Sequence, residues 1–367
     1  MQGVRRAIGF MSGTSMDGID VAAIETDGQN IVKRHGAMSF PFCAEFRKVL
    51  SGAPSLAASL GNRKDRPGEL AEMEESLTRL HGDAFHAFSK QINWPTRTIS
   101  VIGFHGQTIL HCPDTAMTLQ LGDGRLLAQL TGLPVIYDMR AADVASGGQG
   151  APLAPVYHRA MVAEVPVRPI VVLNLGGVAN VSFIGENDEL LAFDTGPAGA
   201  MVDDWVLATM HKMYDKDGEL AASGQIDSDL VNGFLEHRFF SLRPPKSLDR
   251  NAFDPEPLRG LSPADGAATL TAFAAAAVGR AQELMPRSPR KWIVVGGGRK
   301  NKTLMAMLRR AVDGEVCSAE AIGIDGDSVE AEAWAYLAVR SIDGLPLTYP
   351  GTTGAPYAVC GGVLCQP

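Results

Sequence analysis

Hydrophobic and polar positions alternate in short runs along this chain, and glycine-rich turns separate the runs. Residues 7–11 and 19–25 predict two strands joined by the polar turn 12–18. Residues 67–92 instead carry apolar side chains near helical spacing, with Pro67 suited to the first turn. The first part of the chain therefore predicts a hairpin followed by a long amphipathic helix.

The rest of the chain alternates between predicted strands and predicted helices. The strands are 98–104, 169–175, 181–184, 190–193 and 292–295. The helices are 124–131, 151–164, 200–211, 262–285, 302–312 and 329–340. This alternation is typical of an α/β fold.

The order of these elements repeats weakly along the chain. A strand, a glycine turn and a second strand occur at 7–25 and again at 170–184, which predicts an internal duplication. A chain of 367 residues is also too long for one comfortable core. We therefore expect two α/β lobes, 1–166 and 167–367, with the active site in the cleft between them. The extreme C-terminal tail is a candidate to pack on the first lobe.

The composition of the chain limits the kinds of molecule that the protein is expected to bind. The net charge is -8 and the basic residues are scattered, so we expect small-molecule partners rather than nucleic acid or a membrane. The five cysteines are odd in number and show no CxxC pair, which indicates free thiols in a reducing compartment. The first apolar run is too short for a signal peptide, and we expect a cytoplasmic protein.

The polar turn of the first hairpin combines glycines, hydroxyls and acidic residues. Its sequence is Ser12, Gly13, Thr14, Ser15, Met16, Asp17, Gly18, Ile19, Asp20. Glycines let backbone N–H groups approach an anion, so the turn predicts a phosphate site. A bare carboxylate at Asp17 would repel phosphate, which implies Mg²⁺ held directly or through water. The alternative is an ordinary hairpin turn with solvated polar residues.

Two further glycine turns follow predicted strands, at Gly176-Gly177 and at Gly296-Gly297-Gly298. Each alone is most simply structural. Together with the first turn they can enclose a triphosphate, which favours ATP as the ligand. Asn301 follows the last of these turns and can cap the helix 302–312.

Several polar residues near predicted strand ends are candidates for catalysis and substrate binding. Asp194 follows a strand and precedes Gly196-Pro197, so it is our candidate general base, with helix capping as the alternative. Glu330 invites either the same capping role or a role on Mg²⁺ or water. His105 and Gln107, on a predicted tight turn, could bind sugar hydroxyls or be structural. Arg140, near Asp138 and Asp143, could hold a substrate carboxylate or form a solvated ion-pair cluster.

These motifs resemble the anhydro-N-acetylmuramic acid kinases of bacterial cell-wall recycling, members of the actin-like ATPase and sugar kinase superfamily. The resemblance runs from end to end. It is carried by the stretches at 9–20, 105–109, 147–153, 174–177, 193–197, 221–224, 245–247, 296–298 and 353–355. The fold that it implies is a duplicated actin-like (ribonuclease H-like) α/β fold of two lobes.

The resemblance also implies a reaction. Asp194 would deprotonate water, the water would open the 1,6-anhydro ring at the anomeric carbon, and O6 would take the γ-phosphoryl group of ATP. The turn 13–20 would bind the phosphates with Mg²⁺ near Asp17 and Glu330. The sugar would lie near His105, Gln107, Arg140, Asp143 and Gly196. The sequence is compatible with a homodimer.

Three places depart from the family's pattern, two of them at Phe104, where the family often has Ser, and at Ala331, where it has Gly. The family commonly has Gly-Pro-Gly-Asn after the base, whereas this chain has Gly196-Pro197-Ala198-Gly199. Two other functions therefore remain open at this point: a kinase of another anhydro-sugar such as levoglucosan, and a non-catalytic actin-like nucleotide-binding protein. Retention of Asp17, Asp194 and Glu330 argues against the second of these.

Overall fold

The computed structural model describes residues 3–13, 15–187 and 189–367. The strands are β1 (Arg5–Ser12), β2 (Gly18–Thr26), β3 (Val32–Pro41), β4 (Val101–Cys112), β5 (Met117–Leu121), β6 (Val135–Tyr137), β7 (Ile170–Leu175), β8 (Val178–Ile184), β9 (Leu190–Pro197), β10 (Lys291–Val295), β11 (Glu315–Ser318) and β12 (Val363–Cys365). The helices are α1 (Ala44–Leu50), α2 (Ala53–Ala57), α3 (Glu69–Ile92), α4 (Gly124–Thr131), α5 (Ala141–Ala145), α6 (Pro155–Met161), α7 (Gly199–Met210), α8 (Glu219–Ser223), α9 (Ser228–Leu235), α10 (Pro263–Gln282), α11 (Lys302–Ala311), α12 (Val329–Ile342) and α13 (Pro350–Thr353). Most predicted elements are present, although the predicted helix 151–164 is reduced to α6.

The chain divides into two compact units. The first comprises Met1–Glu164 together with Ser328–Pro367, and the second comprises Val165–Asp327. This division differs from the predicted lobes 1–166 and 167–367, because the whole segment from Ser328 onward packs with the first unit.

Glycines in two strands explain why α12 belongs to the first unit. A Cβ atom on Gly9 in β1 would lie 2.0 Å from the carbonyl oxygen of Ala331, and one on Gly103 in β4 would lie 2.0 Å from that of Trp334. Only glycine therefore lets the backbone of α12 approach the sheet so closely. A prediction that follows sequence order cannot anticipate this long-range packing.

The sheet of the first unit has the strand order β12-β6-β4-β1-β2-β3, with β5 paired to β4. Strands β1, β2 and β3 are antiparallel neighbours, and β1 pairs in parallel with β4. Buried side chains of β1, β2, β4 and α3 form a core beneath this sheet. The core fixes β1, whose end leads into the polar turn, and β4, which carries His105.

The sheet of the second unit has the strand order β11-β10-β7-β8-β9. Strands β7, β8 and β9 are antiparallel neighbours, and β7 pairs in parallel with β10. The first unit has the same arrangement of three consecutive antiparallel strands beside parallel ones. The predicted duplication is therefore confirmed: the α/β fold consists of two units with the same sheet arrangement.

Two further properties of the described residues bear on the sequence predictions. All five cysteines are free. None of the helices in the described ranges combines the length and the apolar character needed to cross a bilayer.

Candidate active site

The polar turn between β1 and β2 is held by bonds within the first unit. The N–H of Met16 donates to the carbonyl oxygen of Gly13 at 3.1 Å, and the Ser15 hydroxyl donates to the Asp17 carboxylate at 2.8 Å. Met16 adopts a φ of 52°, an uncommon value for a residue with a side chain. In the described part of the turn, the Ser15 hydroxyl and the Asp17 carboxylate are exposed, whereas Ser12 is buried. Thr14, also predicted to bind phosphate, lies outside the described residues.

The end of the predicted phosphate motif lies inside β2. A Cβ atom on Gly18 would lie 2.5 Å from the carbonyl oxygen of Phe40, so this glycine is needed for strand packing. The Ile19 side chain is buried in the core, which leaves only its backbone able to face a ligand. Asp20 accepts a hydrogen bond from the Ser39 hydroxyl of β3.

The carboxylates of the turn are suited to an Mg²⁺ ion that has only one or two ligands from the protein. No group of three or more His, Cys, Asp or Glu side chains is close enough to hold a metal ion, as far as the described residues extend. Mg²⁺ in nucleotide sites commonly uses one or two carboxylates plus phosphate oxygens and water. One exposed carboxylate at Asp17 beside the Ser15 hydroxyl is compatible with that donor set.

His105 and Gln107 lie within β4, and their predicted place on a tight turn is wrong. Gly106 bends the strand with a φ of 69°, but pairing resumes with β5 at Gln107 and Leu121. A Cβ atom on Gly106 would lie 2.2 Å from the carbonyl oxygen of Leu121. The glycine therefore permits a bend within a paired strand rather than ending the strand.

The buried His105 ring is neutral and fixed at both nitrogens. Its Nδ1 lies 3.2 Å from the carbonyl oxygen of Ser12, and its Nε2 lies 3.1 Å from a guanidinium nitrogen of Arg140. Because a carbonyl only accepts and a guanidinium only donates, the proton is on Nδ1. Burial and the positive charge of Arg140 lower the pKa of His105 well below its usual range.

Gln107 is fully buried, and only the nitrogen of its side-chain amide has a hydrogen-bond partner. Its Nε2 donates to the carbonyl oxygen of Gly13 at 3.0 Å, which links β4 to the polar turn. Its Oε1 is buried without a hydrogen-bond partner. A buried carbonyl oxygen without a donor is costly, so Oε1 is suited to accept a bond from a ligand or water.

Arg140 is packed between aromatic and polar groups of the first unit. Its guanidinium lies 5.1 Å from the centre of the Trp334 ring and donates to the carbonyl oxygen of Gly150 at 2.8 Å. Burial lowers the pKa of Arg140 to about 10, and the negative charge of Glu330 acts in the opposite direction. Glu330 and Trp334 are four residues apart on α12 and so share one face of that helix.

Asp143 is a buried residue that positions loops of the first unit. Its carboxylate accepts hydrogen bonds from the N–H of Gly150 at 2.6 Å, from the Thr353 hydroxyl at 2.7 Å and from the Thr348 hydroxyl. These bonds tie the segment before Gly150 to the C-terminal segment. The hydrogen bonds of the Asp143 carboxylate are thus made to other residues of the protein. Asp138 forms an ion pair with Arg63 rather than with Arg140.

Asp194 lies inside β9, one residue beyond the predicted end of that strand at Phe193. The strand continues because Ala179 and Val178 of β8 pair with Gly196 and Pro197. The half-buried carboxylate of Asp194 accepts a hydrogen bond from the N–H of Leu248 at 2.8 Å. Helix α7 begins later, at Gly199, so the predicted alternative that Asp194 caps this helix is wrong.

The environment of Asp194 suits a general base. Burial raises its pKa to about 7, although the Leu248 N–H and the charge of Lys246 act to lower it. A carboxyl group with a pKa near 7 can be ionised at neutral pH and still bind a proton well. Gly196 has a φ of 157°, and a Cβ atom there would lie 2.8 Å from that of Ala277 in α10. Gly196 is therefore required for the strand to pack against α10.

The Gly176-Gly177 turn is bonded to the start of α7. The N–H of Ala198 donates to the carbonyl oxygen of Gly177 at 3.0 Å, and that of Gly199 donates to the carbonyl oxygen of Gly176 at 3.0 Å. A Cβ atom on Gly199 would lie 3.1 Å from the Gly176 oxygen. The backbone of Ala198 and Gly199 thus contacts the turn closely, and Gly199 leaves the space that a Cβ atom would occupy beside it.

The second glycine turn packs on the end of β7. A Cβ atom on Gly296 would lie 2.4 Å from Oδ1 of Asn174, and one on Gly298 would lie 2.7 Å from Cβ of Leu175. The fold therefore brings the two glycine turns of the second unit together. Gly297 differs, because a Cβ atom there would meet nothing within 4 Å. Its exposed backbone leaves room for a flat ligand.

Asn301 caps α11, as predicted. Its Oδ1 accepts a hydrogen bond from the N–H of Leu304 at 2.9 Å. The adjacent Arg299 is buried and bonds to the carbonyl oxygen of Gly296, to Glu320 and to Asp327. This network fixes the conformation of the Gly296 turn.

Two features of the site escaped sequence analysis. Trp334 stacks beside His105, with ring centres 4.5 Å apart, and its spacing from Glu330 was the available signal. Lys246 and Leu248 contact Asp194 across more than fifty residues, and no local pattern indicates such a contact.

Comparisons with known proteins identify the family of the chain. The family model described as anhydro-N-acetylmuramic acid kinase matches residues 5–367. Proteins named anhydro-N-acetylmuramic acid kinase include one from Rhizobium etli, 48% identical over 100% of both chains. Another, from Bradyrhizobium diazoefficiens, is 49% identical over 98% of this chain and 99% of its own. One from Azorhizobium caulinodans is 50% identical over 99% of each. The chain described here belongs to the anhydro-N-acetylmuramic acid kinase family.

Proposed function

We propose that this protein is an ATP-dependent kinase that opens 1,6-anhydro-N-acetylmuramic acid with water and phosphorylates O6. The products are N-acetylmuramic acid 6-phosphate and ADP. Family membership over residues 5–367 supports the substrate class. The observation that carries the mechanism is the half-buried Asp194 carboxylate, with a pKa of about 7 and one oxygen held by the Leu248 N–H.

The substrate explains why the base must act on water. O6 of the anhydro-sugar is an ether oxygen, so it has no proton for a base to remove. Water attacking the anomeric carbon does have a proton, and Asp194 accepts it. The C1–O6 bond breaks as the new C1–O bond forms. The electron pair that stays on O6 attacks the γ-phosphorus of ATP, the bond between the γ- and β-phosphates breaks, and ADP leaves with that electron pair. Hydrolysis and phosphoryl transfer then form one balanced event.

The polar turn of the first unit is the proposed phosphate site. Its exposed Ser15 hydroxyl and Asp17 carboxylate, on a turn fixed by the Met16-to-Gly13 bond, support this assignment. Bound Mg²⁺ would neutralise charge on the transferring phosphoryl group, and Asp17 and Glu330 are the carboxylates that we assign to it or to its waters. Gly176, Gly177 and the 296–298 turn, with Asn301 beside it, are the proposed nucleotide contacts of the second unit.

The sugar contacts are proposed on β4 and near it. The unpartnered Oε1 of Gln107 accepts a hydrogen bond from the sugar, and neutral His105 and Arg140 orient it. Arg140 is our candidate for the lactyl carboxylate, since a guanidinium binds a carboxylate with two parallel hydrogen bonds. Asp143 acts indirectly, through the Gly150 segment that also bonds to Arg140. Gly196 is the proposed contact on the second unit.

We further propose that the enzyme acts in the cytoplasm on small molecules. The five free cysteines are compatible with a reducing compartment.

A competition assay tests the substrate assignment. Purified protein with Mg-ATP receives equal amounts of 1,6-anhydro-N-acetylmuramic acid and levoglucosan, and both sugar phosphates are quantified by mass spectrometry. We expect phosphate on the lactyl-bearing sugar in large excess. Preference for levoglucosan would overturn the substrate assignment, and ATP binding without either product would overturn the enzymatic one.

A further inference from the structure

Two backbone groups of the segment around Lys246 form hydrogen bonds with Asp194. The segment lies along β9, which ends the sheet order of the second unit. The N–H of Asp194 donates to the carbonyl oxygen of Lys246 at 3.0 Å, and the N–H of Leu248 donates to the Asp194 carboxylate at 2.8 Å. These two bonds fix both the main chain and the carboxylate of Asp194 against residues 246–248.

The Lys246 side chain is buried and held in place. Its ammonium group donates to the carbonyl oxygen of Phe239 at 3.0 Å and lies 4.2 Å from the centre of the Phe239 ring. A second ring, that of Phe240, has its centre 5.9 Å from the ammonium group. Lysine is otherwise among the residues most rarely buried, so this placement calls for a role beyond solubility.

Lys246 and Asp194 act on each other electrostatically. Burial lowers the pKa of Lys246 to about 8, and the charge of Asp194 opposes that change. Arg280 on α10 repels the ammonium group and lowers the pKa further. In the other direction, the Leu248 N–H and the charge of Lys246 both act to lower the pKa of Asp194, against the larger effect of burial.

We propose that Lys246 is a positioning residue for the reaction: anchored on the Phe239 carbonyl, its ammonium group keeps the Asp194 carboxylate charged and so ready to take a proton from water. This inference rests on the proposed function, because it assigns Lys246 a part in preparing the same base. Lys246 acts through Asp194 and contacts neither sugar nor nucleotide in this role.

Three substitutions separate the charge of Lys246 from its hydrogen bond. Lys246→Met removes both, Lys246→Gln keeps a donor for the Phe239 carbonyl without charge, and Lys246→Arg keeps the charge. Lys291→Met is the matched control, since Lys291 pairs with the exposed Glu315 in the same unit. Thermal unfolding of each variant confirms that it is folded before it is compared.

The direct readout is the titration of Asp194, followed by NMR of ¹³C-labelled aspartate carboxyl groups and assigned with Asp194→Asn. We expect the midpoint to rise by about one pH unit in the Met and Gln variants, the size of a nearby charge effect. The acidic limb of kcat/KM should move equally, which lowers the rate at pH 6 roughly tenfold and leaves it near normal at high pH. Lys246→Arg and Lys291→Met should keep the original midpoint.

Two results would overturn the inference. One is an unchanged midpoint in folded Lys246→Gln, which would reduce Lys246 to a hydrogen-bond donor. The other is a Lys246→Arg variant as impaired as Lys246→Met. Failure of the wild-type protein to phosphorylate the sugar would contradict the proposed function instead, because the NMR titration measures the coupling without turnover.

Discussion

The backbone N–H of Leu248 donates to the carboxylate of Asp194 at 2.8 Å, although 54 residues separate them in sequence. This bond leaves the carboxylate a single orientation while the surrounding protein raises its pKa to about 7. A group held in this way can accept a proton without first rearranging, as a general base should.

Replacing Asp194 with Asn should abolish turnover and spare nucleotide binding. The amide keeps an oxygen that can accept the Leu248 bond but cannot take a proton, so we expect kcat to fall by roughly three orders of magnitude or more. Steady-state kinetics and equilibrium binding of an ATP analogue measure the two effects. Asp204→Asn, which alters an exposed carboxylate paired with Arg250, is the control and should retain full activity. Turnover within tenfold of wild type would remove Asp194 as the base.

The same residue should make stability depend on pH. The pKa of Asp194 rises from 3.8 to about 7 on folding, so the folded protein binds this proton more tightly than the unfolded chain. Stability from this group is therefore greatest below about pH 4 and is lost as the pH rises towards 7. From pH 4.5 to 6.5, wild-type stability should fall relative to Asp194→Asn by up to about 1.4 kcal/mol per pH unit. Denaturant unfolding of both proteins at several pH values in this range measures the difference. If the free energy of unfolding changes with pH by the same amount in both proteins, the proton affinity of Asp194 is unchanged on folding and the prediction is wrong.

Gly297 should matter for the nucleotide and not for the fold. A Cβ atom at Gly297 meets nothing within 4 Å in the protein, so Gly297→Ala should unfold like wild type. If the nucleotide occupies that space, the added methyl group should weaken ATP binding about tenfold, equivalent to about 1.4 kcal/mol. Gly233→Ala, on α9 and equally unobstructed, is the control for calorimetric binding. Unchanged ATP affinity in Gly297→Ala would remove this turn from the nucleotide site.

Gly103 should matter for the fold. A Cβ atom there would lie 2.0 Å from the Trp334 carbonyl oxygen, and a backbone atom within α12 cannot move aside easily. We expect Gly103→Ala to lower the free energy of unfolding by about 3 kcal/mol or more. Gly61→Ala, where a Cβ atom meets nothing, should be neutral. Equal denaturation midpoints for the two variants would show that α12 does not need this close approach.

Local patterns predicted most elements because the local signals agreed with the fold. The alternating runs around the first turn produced the β1–β2 hairpin, in which Met11 pairs with Asp20. Asn301 was predicted as a cap because its side chain needs only the amide three residues on, at Leu304.

The failures occur where distant residues determine the structure. Gly106 and Gly196 suggested turns, but pairing with β5 and β8 carries both strands past them. The placement of α12 with the first unit depends on glycines in β1 and β4, far away in sequence. The neighbours of Asp194 at Lys246 and Leu248 likewise depend on tertiary contacts that no spacing rule contains.

The central claim is that water activated by Asp194 opens the ring as O6 is phosphorylated. The most direct measurement is mass spectrometry of the products formed from Mg-ATP and 1,6-anhydro-N-acetylmuramic acid in ¹⁸O-labelled water. The account predicts a sugar 6-phosphate with a single ¹⁸O at the anomeric carbon and none in the phosphate, and no such product with Asp194→Asn. A sugar phosphate without ¹⁸O, or one that the variant forms as fast as wild type, would contradict it.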